Sequence, residues 1–277
     1  MSEILPPAPG GTFNPCQAAP ARTYAVLRGA DKDGLPPDRD ASQSLKKTLG
    51  AVDEVVQENA AALVRAIRHY AREGHTQFAD LGCGRPLQGM DKLRLPDLAD
   101  VAAQAQPDRL WVALDSDVQV ITACRALLTG PGVNVVQEDL RRSAKVLDAL
   151  SRHLDMTRPV VVILGAALHF LDDQDAKHLM IALRARLPQG SLVIITHVHH
   201  ARLSPERIAA GQAEYERKHG VKIYVRSRDE IAALACDFTL QEPGVVRTID
   251  FRPDQEGPGP VQDAPHFLML AAKRPAV

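Results

Sequence analysis

The 277-residue chain lacks any run approaching the ~18 consecutive apolar residues of a membrane span. Its first residues, MSEILPPAPGG, lack the basic start and apolar block of a secretory signal. A cytoplasmic protein without a membrane partner is the expectation. Cysteine is sparse: Cys16, Cys83, Cys124 and Cys236 are scattered and form no CxxC pair, which argues against a zinc site and a disulfide framework and suggests reduced, mostly packed thiols. Charge of one sign is missing too. A formal net charge of -1 supplies no electrostatic reason for nucleic acid or an anionic membrane to be the main partner. Neither GKS nor GKT occurs, so a P-loop nucleotide site has no support.

What is present is an ordinary apolar fraction of 45% and a charged fraction of 24%, enough to bury a full core. Residues 1 to about 20, rich in Pro, Gly and Ala, suggest a strap or flexible lead-in. ARTYAVLRGADKDGLPPDRDA, Ala21 to Ala41, reads as a short helical piece followed by a Gly/Asp/Pro-rich loop. Val56, Ala60, Leu63, Val64, Ile67 and Ala71 recur near every 3.6 residues, predicting an amphipathic helix over Asp53 to Glu73 that ends at Gly74. Beyond it FADLG, WVALD, VNVVQ, VVVIL and SLVIITHV are short apolar runs separated by helix-compatible stretches. Runs that apolar belong to parallel strands covered on both faces, which predicts an open α/β sheet. Ser204 to His219 and RSRDEIAALACDF, capped by Ser227, read as helices. TLQEPGVVRTI and HFLMLAAKR read as a closing antiparallel hairpin with RPDQEGPGPVQDAP as its loop. The division expected is a strap and helical lid over residues 1–52 and the sheet domain over 53–277.

FADLGCGRP, Phe78 to Pro86, carries an apolar run into an acid and then two glycines, a turn that lets backbone approach a ligand. In an open parallel sheet, ligands sit at the carboxyl ends of the strands, where strand order reverses. A dinucleotide fingerprint wants a third glycine at position 87 but finds Leu87, which disfavours an NAD-linked reductase. A ligand with a cationic head and no phosphate, such as S-adenosylmethionine (SAM), suits Asp80 beside exposed backbone carbonyls. WVALDSD ends at Asp115, able to accept from ribose hydroxyls, while Asp117 suits the N-cap of the next helix. VNVVQEDLR ends at Asp139, whose carboxylate could accept from an adenine amino group. Singly, each acid also reads as a helix cap; it is their order that points to a cofactor site.

Together FADLGCGRP, WVALDSDVQVITACRALL, VNVVQEDLR, RPVVVILGAALHFLDD and GSLVIITHV, preceded by ARTYAVLRGADKDGLPPDRDA, resemble a poorly characterised family of class I, Rossmann-like SAM-dependent methyltransferases found mainly in actinobacteria. The ARxYxxLxGxxD segment and EPGVV near Glu242 are its more specific parts. The resemblance implies an open, mostly parallel seven-stranded sheet, with Asp80, Gly82 and Gly84 at the methionine end of SAM, Asp115 and the adjoining Ser116 at the ribose, and Asp139 with Leu140 at the adenine. This chain departs from the family in having GADKDG after the first helix, a longer charged loop LQGMDKLRLPDLADVA, and FLMLAAKRP near the C-terminus.

Tyr24, Arg28, Lys32 and Asp33 are lid and acceptor candidates, and Tyr24 and Met90 could cover the adenine or sulfonium or simply be core. Arg22, Arg28, Lys32 and Arg39 could meet an acidic acceptor or form a solvated face. His169 and His197 follow strands and are candidate general bases, each balanced by a structural role. His197, His199 and His200 do not converge naturally, so no metal is expected. The expected activity is methyl transfer from SAM to a small-molecule acceptor; the competing expectation is a non-catalytic SAM-binding regulator of the same fold.

Overall fold

Parallel strands form where apolar runs can be covered on both faces. The computed structural model describes residues 13–200, 203–251 and 266–275. Strands β1 (Gln77–Leu81), β2 (Leu110–Asp115), β3 (Val133–Gln137), β4 (Val161–Gly165) and β5 (Leu192–His199) are mutually parallel, and β8 (His266–Lys273) runs antiparallel to β5. The order is β3-β2-β1-β4-β5-β8, so it reverses beside β1 and opens a crevice at the carboxyl ends of β1 and β4.

The closing hairpin has more pieces than the sequence pattern suggests. TLQEPGVVRTI supplies two short strands, β6 (Thr239–Leu240) and β7 (Val246–Arg247), both pairing with β8 and separated by a turn around Gly244. Eight strands therefore occupy seven positions. The proposed hairpin loop, RPDQEGPGPVQDAP, lies outside the described residues, as do residues 1–12 of the N-terminal strap.

Alternation along the strands divides two cores. Phe78, Trp111, Ile163 and Ile194 face α3 (Val52–Arg72) and α4 (Leu98–Ala105). Ala79, Leu81, Val112, Leu164 and Ile195 face α6 (Ser143–His153), α7 (Asp173–Arg186) and α9 (Arg228–Ala233). The period-2 alternation survives inside near-continuous apolar runs because each side of the sheet has its own helical cover. Local signals set the helix ends. Asp117 caps α5 (Val118–Leu127) by accepting from the Gln119 amide, and Ser227 with Glu230 forms a capping box on α9.

At the N-terminus the expected loop is partly a helix. After α1 (Pro20–Leu27) and a 3-10 turn at Asp31–Asp33, α2 runs Pro36–Leu49. Pro36 occupies the first turn, where its missing N–H costs nothing, and the Asp38 carboxylate accepts from the Leu35 amide at 2.7 Å. A pair of prolines that reads as a loop marker thus opens a helix. No described helix is long and apolar enough to cross a membrane.

Candidate functional site

The glycine turn is bent back against β2. Gly82 and Cys83 both donate their amides to the Leu114 carbonyl, at 2.8 and 3.0 Å. Gly82 has φ +79°, and a Cβ there would sit 2.8 Å from the Ala167 Cβ, so only glycine permits this approach of the β1 turn to the loop after β4. The Gly84 amide donates to Asp115 Oδ2 at 3.1 Å, and the Asp117 amide donates to Asp115 Oδ1 at 3.0 Å. Asp115 is therefore already holding the turn. Burial raises its carboxyl above the usual range, while those hydrogen bonds oppose the rise.

Asp80 has its carboxyl pushed up to about 7, first by burial and then by Asp115 and Asp97. Two acids on adjacent strand ends with no cation between them make a site that gains from a positive ligand group. Asp139 differs from the expectation of a free acceptor: it is paired with Arg141, whose Nη2 lies 2.6 Å from its Oδ2, and it also accepts from the Arg141 amide. Leu140 lies beside Gly82, and the Ser116 carbonyl accepts from Gln137 at 3.2 Å. All seven residues expected at the cofactor end line one cavity of about 990 Å3.

The histidines separate. His169, in a 3-10 turn just past β4, lines the cavity at 4% exposure, and its Nδ1 has no hydrogen-bond partner. Burial, then His197 and Arg226, lower its pKa well below the ordinary value, so the ring is neutral near pH 7. His197 is 0% exposed and is not among the lining residues. Its Nδ1 donates to the Val198 carbonyl at 2.8 Å and its Nε2 accepts from Arg226 at 2.7 Å, so neither nitrogen has a lone pair free for a proton. Period-2 alternation is the reason: β5 turns His197 to the buried face it shares with Val193 and Ile195, while Val198 lines the cavity. Among the described residues no group of three His, Cys, Asp or Glu side chains is arranged to hold a metal.

Helices α1 and α2 cover the cleft, but their charged residues fasten the cover instead of facing inward. Arg22 bonds Asp38 at 2.7 Å, with the Asp38 side chain at 0% exposure, and reaches Gln119 on α5. Arg28 pairs with Asp91 in the charged loop, at 2.9 Å from its Nε. Asp33 pairs with Arg85 at 3.1 Å, and the exposed Lys32 lies against Met90 at 2.6 Å. Lys32, Asp33 and Met90 are not among the lining residues; Tyr24 and Arg28 are. Tyr24 accepts a hydrogen bond from Asn59 at 2.7 Å, and burial raises its phenol pKa.

Sequence reasoning missed half of the roof. Helix α8 (Pro205–His219) lies across α2, and a Cβ on Gly211 would come 2.7 Å from Leu49, so the two helices approach closely only through glycine. Ser44 with Glu214 and Lys218 with Asp40 join the two helices, while Thr23 on α1 donates to His219 Nε2 at 2.9 Å. The capping signals of α8 were legible, but nothing local says which helix it meets. The sequence also gives no hint that Cys83 and Cys124 meet, their sulfurs 3.8 Å apart behind the glycine turn.

The comparisons with known proteins agree with this geometry. Residues 12–273 match the family model described as S-adenosyl methyltransferase. A solved structure from Thermobifida fusca, described as a candidate methyltransferase, is 29% identical over 98% of this chain and 99% of its own, with a TM-score of 0.84. A DUF574 family protein from Streptomyces avermitilis is 28% identical over 94% of this chain and 98% of its own, with a TM-score of 0.83. Human N-acetylserotonin methyltransferase, solved in complex with SAM, shares the fold at 12% identity and a TM-score of 0.50, covering 92% of this chain and 67% of its own. No curated protein sequence matches the chain.

Proposed function

The chain belongs to the S-adenosyl methyltransferase family, and from that premise we propose that it transfers a methyl group from SAM to a small-molecule acceptor held under the roof of α1, α2 and α8. The observation that carries the reading is the continuity of one cavity from the strand-end acids to His169 and the underside of the roof helices. Such enclosure suits a small molecule better than a macromolecule, and it excludes water from the reacting atoms.

The residues present fit the cofactor. The Cβ position of Gly84 is open space that a side chain would fill, Asp80 offers a buried carboxyl whose charge a cationic amino or sulfonium group would stabilise, and Asp115 and Ser116 line the same cavity as the partners proposed for the ribose. Asp139, held by Arg141, serves the adenine side chiefly as the brace of its own turn, with Leu140 as the apolar surface beside it. When bound, SAM would supply a methyl group already activated by its sulfonium. The chain's own contribution is positioning, exclusion of water and, at His169 Nδ1, a neutral nitrogen able to take the acceptor's proton. The described part of the N-terminal segment, residues 13–52, acts as the lid, fastened by Arg22, Arg28 and Asp33, with Lys32 outside it.

Single-turnover incubation of the protein with methyl-labelled SAM and a metabolite extract tests the reading. Label should appear in an extractable small molecule in the presence of protein only. Tight SAM binding with no transfer to any fraction would favour the non-catalytic regulator.

A further inference from the structure

The cavity has two chemically different ends, and the far one limits what the acceptor can be. Its acids, Asp80, Asp97, Asp115, Asp117, Glu138 and Asp139, all come from strand ends or the loops that follow them. No carboxylate of α1, α2, α3 or α8 is among the described lining residues. A cationic acceptor under the roof would therefore meet no counter-charge, and burying an unpaired charge is costly. The cations on the lid side are already used: Arg22 is paired with Asp38 and Arg28 with Asp91, while Lys222 is exposed. An anionic acceptor would have to break one of these buried pairs or draw the solvated Lys222 inward to gain a partner.

What remains there is apolar and ring-rich. Leu49, Val52, Val56 and Ile208 come from three of the roof and wall helices. The chain has only 1 Trp, 4 Tyr and 6 Phe, yet Tyr24, Phe170, Tyr215, Tyr224 and Phe267 all line this cavity. Phe170 and Tyr215 stand 6.1 Å apart, and Phe267 lies 5.9 Å from the His169 ring. Concentrating scarce rings at one end favours a flat partner. The unpartnered His169 Nδ1 is a buried polar atom that lacks a hydrogen-bond partner, which a hydroxyl, both donor and acceptor, can supply for either tautomer.

Resting on the SAM-dependent reading above, we propose that the acceptor is an uncharged aromatic or conjugated small molecule that presents an acidic hydroxyl, phenolic or enolic, to His169. The hydroxyl oxygen would bond to the methyl carbon as that carbon's bond to sulfur breaks, the pair returning to sulfur to leave S-adenosylhomocysteine, and the hydroxyl proton would pass to the imidazole, so no further reactant is needed. A desolvated histidine is a weak base. It is better matched to a phenol, with a pKa of about 10 as in tyrosine, than to an aliphatic alcohol.

The test uses the full chain saturated with S-adenosylhomocysteine, whose own binding is measured first by calorimetry. Three probes of equal ring size follow: 1-naphthol, the cation of 1-(aminomethyl)naphthalene, and naphthalene-1-sulfonate. The naphthol should bind about tenfold or more tightly than either ion, because only the ions carry an uncompensated charge into the chamber. Ile208→Trp, filling the chamber from α8, should weaken naphthol binding about tenfold while leaving S-adenosylhomocysteine affinity unchanged. Equal or tighter binding of either ion, no binding of the naphthol, or naphthol binding indifferent to Ile208→Trp overturns the acceptor class with the cofactor reading intact. Absence of S-adenosylhomocysteine binding at the first step overturns the cofactor reading, and this proposal with it.

Discussion

Burial, then Asp115 and Asp97, push the Asp80 carboxyl up to about 7, so near neutrality a cationic ligand must compete with a proton for that site. SAM affinity should consequently rise with pH, by about tenfold per unit below pH 7, and level off above it. Asp80→Asn should remove this slope; calorimetry at several pH values reads it directly, and an unchanged slope in the variant would assign the proton elsewhere. Under the proposed mechanism His169 acts on the acceptor alone. His169→Ala should lower turnover about 100-fold or more with SAM affinity nearly constant. If turnover per folded molecule is kept and only the melting temperature falls, His169 is a packing residue. At this scale sequence reading worked unevenly. The order of the acids was legible because each follows a strand, but whether His169 or His197 keeps a free nitrogen depended on Arg226, 29 residues further on from His197.

Among the elements, the lid is held less by its own helix than by what it grips. Arg28, the C-cap of α1, reaches Asp91, whose other oxygen accepts from the Leu95 amide at 2.9 Å, so one carboxylate ties the end of α1 to the charged loop. Arg28→Ala should weaken cofactor binding by about 1 to 3 kcal/mol, through a faster off-rate, because it leaves Asp91 buried without its guanidinium. Stopped-flow release of S-adenosylhomocysteine measures this, and an unaltered off-rate would show that the lid does not gate the site. The charged loop, which in sequence looked only like an insertion, is tied to the end of α1 through Asp91. Helix α2 escaped the sequence reading for a related reason. Its apolar positions Ala41 and Leu45 are few, and it is stabilised by packing on α8 and by Asp38, neither of which is a local periodicity.

For the whole molecule, the buried histidines set the response to acid. Burial lowers His197 and His219 to about 4 and His169 well below 6.5. Each is neutral when folded but takes a proton below 6.5 when unfolded, so each contributes stability that is lost as pH falls from 6.5 toward 4. Asp80 acts oppositely: with its pKa raised from 3.8 to about 7, it contributes stability at low pH that is lost as pH rises through 7. Asp97, Asp115 and Asp175, also raised, act with Asp80, and His75 and His199, also lowered, act with the rings. Five rings against four carboxyls, with the rings losing stability from pH 6.5 downward, predict a melting temperature that drops between pH 6.5 and 4.5. A flat or rising profile in thermal unfolding would mean that these rings become hydrated before the fold opens.

By itself the sequence determined the α/β class, the strand-end acids and the glycine turn, because apolar period, cap and turn chemistry are properties of neighbouring residues. The family resemblance carried by those same segments gave the cofactor. Only the tertiary structure decided which helices form the roof, that Lys32 and Asp33 stand outside the cavity, and that Cys83 meets Cys124. Those are contacts across long stretches of chain. Their partners are chosen by how α8 crosses α2 and how β5 enters the sheet beside β8, and no local pattern encodes such a crossing.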